Sequence, residues 1–370
     1  MCGILGEYSI GVAPSTKEDF IKLLDFSKER GPDNQGYYSN LKNLQLGFNR
    51  LSILDLTDLA NQPIHSYDKK ISMVFNGEIY NYLEIKNRIT NYDIDIKSTG
   101  DSEVLVNAFR LFGVEETLEI LDGMFAIGLF DHNLGLLHLI RDFAGIKPLH
   151  FGWNKDYIVF ASQYDQIARH RGFISNQINP NVLKLYLSQH YIPAPYGILD
   201  NTFQVEPGQV VTFDASGAMK SKRYWQFPEF HEPKIFNIKS GIEHIGEALK
   251  LSVQAELVSD VPLCSFLSGG IDSALISFYA NQSLKMSLRS ITIGSNSLKY
   301  DESSNAEKHG KLIGVNHTIR KMRGNDACDI LEGMVKSIKE PFADFSILPT
   351  YLVSKLAKEQ ATVALSGDGA

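Results

Sequence analysis

Three short stretches of this chain hold residues whose types and spacing can do chemistry. The chain opens MCGILG, with Cys2 directly behind the initiator methionine. Removing Met1 leaves a thiol nucleophile and a free α-amine a few bonds apart. With an ordinary pKa of about 7.7–8.0, that amine can act as a base near neutral pH. Chain ends are in general poorly ordered, so a thiol there is either incidental or kept for its reactivity. The second stretch, FLSGGIDSALI, sets Gly269 and Gly270 between an apolar strand-like run and a helix-like run. Backbone N–H groups at such a turn, together with the positive end of the helix dipole, form an anion site. Glycine there lets the main chain approach a phosphate closely. Ser268 and Ser273 add hydroxyl donors, and Asp272 is a candidate magnesium ligand, holding the ion against the phosphates. The turn lacks the Walker A lysine and the G-x-G-x-x-G spacing. In the third stretch, VALSGDGA, a further strand-like run delivers Ser366 and Gly367, with the carboxylate of Asp368 after them. Two such turns at the carboxyl edge of one parallel sheet point to a nucleotide site.

These residues have to be positioned by two regions of different character. The first half is rich in short strand-like runs separated by turn signals, among them LQLGF, ISMVFNGEIY, GMFAIGLFD, GLLHLIRD, YIVFAS and QVVTFD. Helical periodicity appears in KEDFIKLLDFSKE, YLEIKNRI, DSEVLVNAFRLFG and NPNVLKLYLSQHY. Many strands and few helices predict an α+β domain, with sheets packed on each other and helices outside. From about Gly241 helix and strand alternate, through GIEHIGEALKLSVQAELVS, VPLCSFLS, DSALISFYANQS, LRSITIG, ESSNAEKHGKLIG and ATVALS. That alternation predicts an α/β domain with a parallel sheet. The expected division is residues 1–215, a linker over 216–240 containing YWQFPEFHEPKIFN, and residues 241–370.

Composition narrows the function classes. The 370 residues are 44% hydrophobic and 21% charged, as in a soluble globular protein, and the formal net charge is −7. That charge offers no electrostatic case for nucleic acid or an anionic membrane as partner. Cys2, Cys264 and Cys328 are odd in number and lie far apart. This speaks against a disulfide framework or structural zinc and for a reducing compartment. No apolar run approaches the roughly 18 residues of a membrane span, and no secretory signal opens the chain. A cytoplasmic protein is expected.

Taken in order, the motifs resemble the glutamine-hydrolysing asparagine synthetases, class II amidotransferases with an N-terminal-nucleophile glutaminase fused to an ATP-pyrophosphatase domain. The resemblance runs through MCGILG, RGPD (30–33), RLSILDL (50–56), NQPI (61–64), NGEIYNY (76–82), GDSEVL (100–105), DGMFAIGLFD (122–131) and RDFAGIKPL (141–149). It continues through LSGGIDSA (267–274), YDES (300–303), EPFADFSILPTYLVSKLA (340–357) and VALSGDGA (363–370). The resemblance implies an N-terminal-nucleophile hydrolase sandwich followed by a parallel-sheet domain of the adenine nucleotide alpha hydrolase type. It makes Cys2 the nucleophile, with its own α-amine as base. It assigns Arg50 to the glutamine α-carboxylate, and Asp101, with Glu78, to the α-ammonium group. Asn76 and the Gly77 N–H become the oxyanion hole, and backbone groups of Leu51, Ser52, Ile53 and Leu54 line the pocket. A guanidinium suits a carboxylate by its planar fork, and two fixed donors suit a tetrahedral intermediate.

For the second half the resemblance implies that ATP, with Mg2+, activates aspartate as an acyl-adenylate, which ammonia from Cys2 then amidates. Leu267 and Ile293 would contact adenine or ribose, and Ser268, Gly269, Gly270, Asp272 and Ser273 the pyrophosphate. Ser366 and Gly367 would touch the nucleotide, and Asp368 would serve adenylate formation. The small-molecule partners are then glutamine, aspartate and ATP, with a homodimer left open. The chain departs from the family pattern at Gln163, where glutamate is usual, and at Phe143 and Ala144. In the family the SGDGA run leads into an acidic pair and a long helical stretch, so a C-terminally truncated chain is expected. Two other readings stay open: an amidotransferase acting on another carboxylate, such as a sugar acid, and a glutaminase whose second domain only senses nucleotide.

Overall fold

A computed structural model describes residues 1–229, 237–295, 301–322, 324–344 and 346–368, with only the backbone described over 324–329. The central part of the expected linker (230–236) and residues 369–370 lie outside that set. The chain divides into two compact units, Met1–Pro228 with Lys339–Ala343, and Glu229–Ile338 with Asp344–Ala370.

The first unit carries strands β1 (Gly3–Ser9), β2 (Asn34–Ser39), β3 (Leu44–Arg50), β4 (Ile64–His65), β5 (Ile71–Ile79), β6 (Gly123–Asp131), β7 (Leu136–Arg141), β8 (His150–Trp153), β9 (Tyr157–Ala161), β10 (Thr202–Gln204), β11 (Gln209–Phe213) and β12 (Met219–Arg223). Its helices are α1 (Lys17–Asp25), α2 (Tyr82–Ile89), α3 (Asp101–Ile120), α4 (Tyr164–Ala168) and α5 (Pro180–Gln189). The strands form two antiparallel six-stranded sheets, in the orders β10-β8-β9-β1-β3-β2 and β12-β11-β7-β6-β5-β4. Alternation along each strand sends one set of side chains between the sheets and the other outward. Ile4, Phe48, Val74, Phe130, Leu139 and Phe160 fill the space between the sheets. Phe75, Ile79 and Phe125 face α2 and α3 with Ile85 and Leu105, and Leu5 and Val159 face α1 with Phe20 and Leu24. Helix, sheet, sheet and helix thus stack as the N-terminal-nucleophile sandwich. The Phe160 ring occupies room that two glycines leave open: a Cβ on Gly6 or on Gly128 would stand 2.1 or 2.2 Å from it.

The second unit holds α6 (Ile238–Glu256), β13 (Leu263–Phe266), α7 (Ile271–Ser283), β14 (Arg289–Ser295), α8 (Ser303–Ile313), β15 (Asn316–Met322), α9 (Gly324–Ser337), α10 (Ile347–Lys358) and β16 (Val363–Leu365). Its sheet is parallel throughout, in the order β15-β14-β13-β16. Parallel neighbours need crossover connections, and the helices supply them while covering both faces. Val253, Ala280 and Leu365 pack on one side, and Cys264, Ile291 and Leu356 on the other.

Two features differ from the sequence reading. Residues 219–223, placed there within the linker, form edge strand β12 paired with β11. All five side chains of MKSKR are exposed, so no alternation marks the strand, and its lysines suit an edge that must not pair further. Lys339–Ala343 belongs to the first unit although it lies far into the second half of the chain. Among the described residues no helix is long and apolar enough to cross a membrane.

Candidate active site

Cys2 sits one residue before β1, opposite the end of β3, because Gly3 pairs with Asn49. The thiol meets the backbone of the residue after β3: the Leu51 N–H donates to Sγ at 3.4 Å, and the S–H faces the Leu51 carbonyl at 3.7 Å. Arg30 Nε donates to the Cys2 carbonyl at 3.0 Å. The position that is usually a loose end is therefore anchored on both its side chain and its main chain. Burial pushes the thiol pKa up, while the Leu51 N–H, the chain's amino group, Arg50 and Arg30 pull against that rise. The α-amine, here on Met1, is brought down to about 6 by burial, and Arg30 and Lys147 add to the effect while Cys2 and Glu78 oppose it.

The oxyanion candidates lie on β5. Gly77 pairs with Phe125 on β6, but the N–H and C=O of Phe125 point the other way, to Asp142. Gly77 therefore turns its own N–H away from β6. On that edge the Phe75 N–H is taken by Gln62 at 2.6 Å and the Ile79 N–H by Asp101 at 2.9 Å. The Gly77 N–H lies between them with no protein acceptor among the described residues, since β4 reaches only as far as Met73. The neighbouring Asn76 shares a strand face with Val74, in the core between the sheets, and is 1% exposed with its Nδ2 unpaired. Buried donors are nearly always satisfied. Two adjacent residues thus each present an unused donor. Asp101 opens α3 next to this edge, and burial raises its carboxyl to about 6.

Arg50 does not stand open as a clamp. It is buried, and its terminal nitrogens hold the Thr57 carbonyl at 2.7 Å, Asn61 Oδ1 at 2.8 Å, the Leu54 carbonyl at 3.3 Å and the Asp55 carbonyl. It ties down the segment that carries Leu51, Ser52, Ile53 and Leu54, all half-buried, with the Ser52 N–H held by Asp33 at 2.7 Å.

In the second unit the two glycine turns meet. A Cβ on Gly367 would lie 2.6 Å from the Ser273 nitrogen in the first turn of α7. Ser273 Oγ accepts the Ser268 N–H at 3.0 Å and lies 2.9 Å from Ser268 Oγ, which in turn accepts the Gly270 N–H at 3.1 Å. The Gly269 N–H already holds an anion, the Glu302 carboxylate, at 3.1 Å. Ser366 Oγ accepts the Asp368 N–H at 3.2 Å and donates to its carboxylate at 3.3 Å. Leu267 is buried, and Ile293 lines a cavity of about 310 Å³ with Met322, Arg320, Ile330 and Lys355.

Comparison with known proteins bears on both units. The family model of the glutamine amidotransferase domain matches residues 1–225, and that of asparagine synthase matches residues 244–370. A putative glutamine-hydrolysing asparagine synthetase 2 of Methanocaldococcus jannaschii is 32% identical over 389 residues, covering 100% of this chain and 74% of that protein. The chain belongs to the glutamine-hydrolysing asparagine synthetase family. Asparagine synthetase 1 of Bacillus subtilis is likewise 32% identical, over 373 residues covering 100% of this chain and 58% of that protein. The chain thus spans well under two thirds of this second relative's length.

Within this synthetase family member, two cations near the thiol escaped the reading of individual residues, although both lie in motifs quoted for the resemblance. They are Arg30, in RGPD, and Lys147, in RDFAGIKPL. Among the described residues no three His, Cys, Asp or Glu side chains gather as a metal site. Asp272 is exposed in the first turn of α7. One carboxylate there suits Mg2+, which commonly takes one or two carboxylates together with substrate phosphates.

Proposed function

We propose that the first unit hydrolyses glutamine at Cys2 and that the second uses ATP to activate aspartate for amidation, forming asparagine with AMP and pyrophosphate. The observation that carries the first part is the pair of unused donors, Asn76 Nδ2 and the Gly77 N–H, on a strand whose neighbouring donors are all capped. With Met1 removed, the Cys2 thiol passes its proton to its own α-amine and the sulfur attacks the glutamine carboxamide carbon. The developing oxyanion takes the two donors. The ammonium returns the proton to the departing nitrogen as the C–N bond breaks, leaving a thioester that water cleaves to glutamate. Asp101, and Glu78 two residues beyond Asn76, supply negative charge for the substrate α-ammonium group. Arg50 contributes by ordering the Leu51–Leu54 wall and by its charge.

In the second unit the Ser268–Ser273 turn and the Ser366–Asp368 turn support nucleotide binding by their mutual contact. The turn at Gly269 already accepts a carboxylate from within the chain. Asp272 would hold Mg2+, which would offset phosphate charge when bound. Ile293 is an apolar surface suited to the nucleoside, with Leu267, buried just after β13, as the other residue proposed to contact it, and Asp368 stands beside Ser366 as the carboxylate for adenylate formation. Cysteine usage and net charge fit a cytoplasmic setting, and the oligomeric state, one copy or two, would be read by light scattering. The test is glutamate release from glutamine for the wild type and Cys2→Ala, with pyrophosphate release followed in the presence of ATP, Mg2+ and aspartate. Equal glutamate release by the two proteins would sink the glutaminase assignment.

A further inference from the structure

A single peptide unit, joining Leu267 to Ser268, opens the glycine turn after β13, and both of its polar groups are held. The Ser268 N–H donates to Ser273 Oγ at 3.0 Å, which ties the turn forward to the first turn of α7. The Leu267 carbonyl accepts the hydroxyl of Thr292 on β14. The Leu267 N–H also reaches β14, donating to the Ile291 carbonyl at 3.0 Å. A peptide is planar, so holding its oxygen on one side and its N–H on the other fixes its rotation. Thr292 is buried, and its hydroxyl has a second neighbour, Nε2 of His317 on β15, at 2.7 Å. A hydroxyl carries one proton. Thr292 gives it to the Leu267 carbonyl, so the oxygen can only accept from the ring, and His317 Nε2 must bear the hydrogen. Gly310 of α8 backs the ring: a Cβ there would stand 2.6 Å from His317 Nδ1. Burial holds the His317 pKa below its ordinary value, against the pull of Glu307, so the ring is neutral at pH 7. The hydrogen bonds therefore run one way, from β15 through β14 to the end of β13.

We propose that His317, acting through Thr292, is a positioning residue of the nucleotide site, setting the direction in which the chain leaves β13 for the Ser268–Ser273 turn. Accepting the ring N–H keeps the Thr292 oxygen facing Leu267 and strengthens the bond it donates. Without the hydroxyl, the peptide that begins the turn loses one of its two anchors. A phosphate site built from backbone N–H groups depends on their directions, so the loss falls on phosphate affinity. A second buried hydroxyl pair supplies the contrast. Ser277 Oγ donates to Ser265 Oγ at 2.9 Å, two residues before Leu267 and with no bond to the turn. The inference rests on the nucleotide reading above.

The experiment measures binding of inorganic pyrophosphate and of Mg-ATP to the whole chain by calorimetry, with folding checked by thermal melt. Thr292→Val keeps the side-chain shape and drops the hydroxyl, and His317→Phe keeps a ring and drops the donor. Each should weaken pyrophosphate binding about tenfold, the scale of one hydrogen bond to a group otherwise left unpaired. Thr292→Ser, and His317→Gln with an amide N–H near the place of Nε2, should stay within about threefold of the wild type. Thr292→Val and His317→Phe together should bind no worse than Thr292→Val alone, because the two act in series. Ser277→Ala should lower the melting temperature and leave pyrophosphate affinity unchanged, which separates positioning of the turn from loss of any buried hydrogen bond. Nitrogen NMR of the imidazole rings, with His317 assigned from His317→Gln, should find the neutral ring protonated on Nε2. That measurement reads the wild type even where Thr292→Val does not fold. Unchanged affinity in Thr292→Val, an equal loss in His317→Gln or in Ser277→Ala, additive losses in the double variant, or a neutral ring protonated on Nδ1 overturns the inference. A wild type that binds neither pyrophosphate nor Mg-ATP overturns the nucleotide reading and this inference with it.

Discussion

Asp101 accepts the Ile79 N–H at 2.9 Å while burial lifts its carboxyl to about 6. The same side chain that caps the β5 edge next to Gly77 is thus held in a place that disfavours its charge. A carboxyl whose folded pKa is raised gives stability that is whole below the unfolded value and lost as pH rises through the folded one. The window here runs from about pH 4 to about pH 6. Asp101→Asn keeps an acceptor for Ile79 and removes the buried charge, so it should raise the melting temperature at pH 7 by the equivalent of roughly 1–3 kcal/mol, with no gain below pH 4. It should also raise KM for glutamine. Thermal melts across pH 4–8 and glutaminase kinetics read the two effects separately; destabilisation at pH 7 would contradict the account.

Asn76 and Gly77 should separate catalysis from stability. Asn76→Ala removes an unsatisfied buried donor, so its loss, on the order of 10²–10³ in kcat, should come with little loss of melting temperature. A Cβ at Gly77 would stand 2.0 Å from the Met124 carbonyl oxygen, so Gly77→Ala must push β5 and β6 apart and should lower both activity and melting temperature. A stable, inactive Gly77→Ala would show that the close approach to β6 is not what demands glycine.

Gly367→Ala and Glu302→Gln should act in opposite directions on nucleotide binding. The alanine methyl would drive the Ser366–Asp368 turn off the first turn of α7, and Mg-ATP affinity should fall at least tenfold by calorimetry. Replacing the Glu302 carboxylate removes like charge from the Gly269 turn, so inorganic pyrophosphate should bind several-fold more tightly. Weaker pyrophosphate binding by Glu302→Gln would make that carboxylate part of the site rather than its competitor.

Glu7 anchors β1, the strand that follows Cys2 directly. It is buried with His170 at 3.0 Å and takes the Ser15 N–H at 2.7 Å. Burial alone would raise the Glu7 carboxyl, but these hydrogen bonds overcome it and leave the group below its ordinary value. Its contribution is therefore present above about pH 4.5 and lost as pH falls through the lower folded value. His170→Ala should remove one hydrogen-bond partner of this buried carboxylate, at a cost of about 1–3 kcal/mol at pH 7. Chemical denaturation at pH 7 and pH 4 would measure it, with the gap narrowing at pH 4.

The sequence by itself determined what short-range chemistry encodes. Cys2 behind Met1, the SGGIDS turn before a helix and the SGDG turn after a strand are legible because a thiol, a glycine pair or a helix start carries its meaning within a few residues. The alternation that separates an antiparallel sandwich from a parallel sheet is equally local. The rest was decided by contacts between residues far apart in the chain. Whether the Gly77 N–H is used depends on Gln62 and Asp101 capping its neighbours and on Phe125 facing Asp142, a matter of strand register that no window of sequence states. Arg50 reads as an open clamp until its own loop folds over it, and Lys147, which the residues around it do not single out, is buried by a turn that Arg141 and Asp142 hold. Strand β12, polar on every side, acquires its conformation only from β11. In each case one backbone direction or one buried charge is settled by several distant hydrogen bonds acting together, and only the folded chain brings those together.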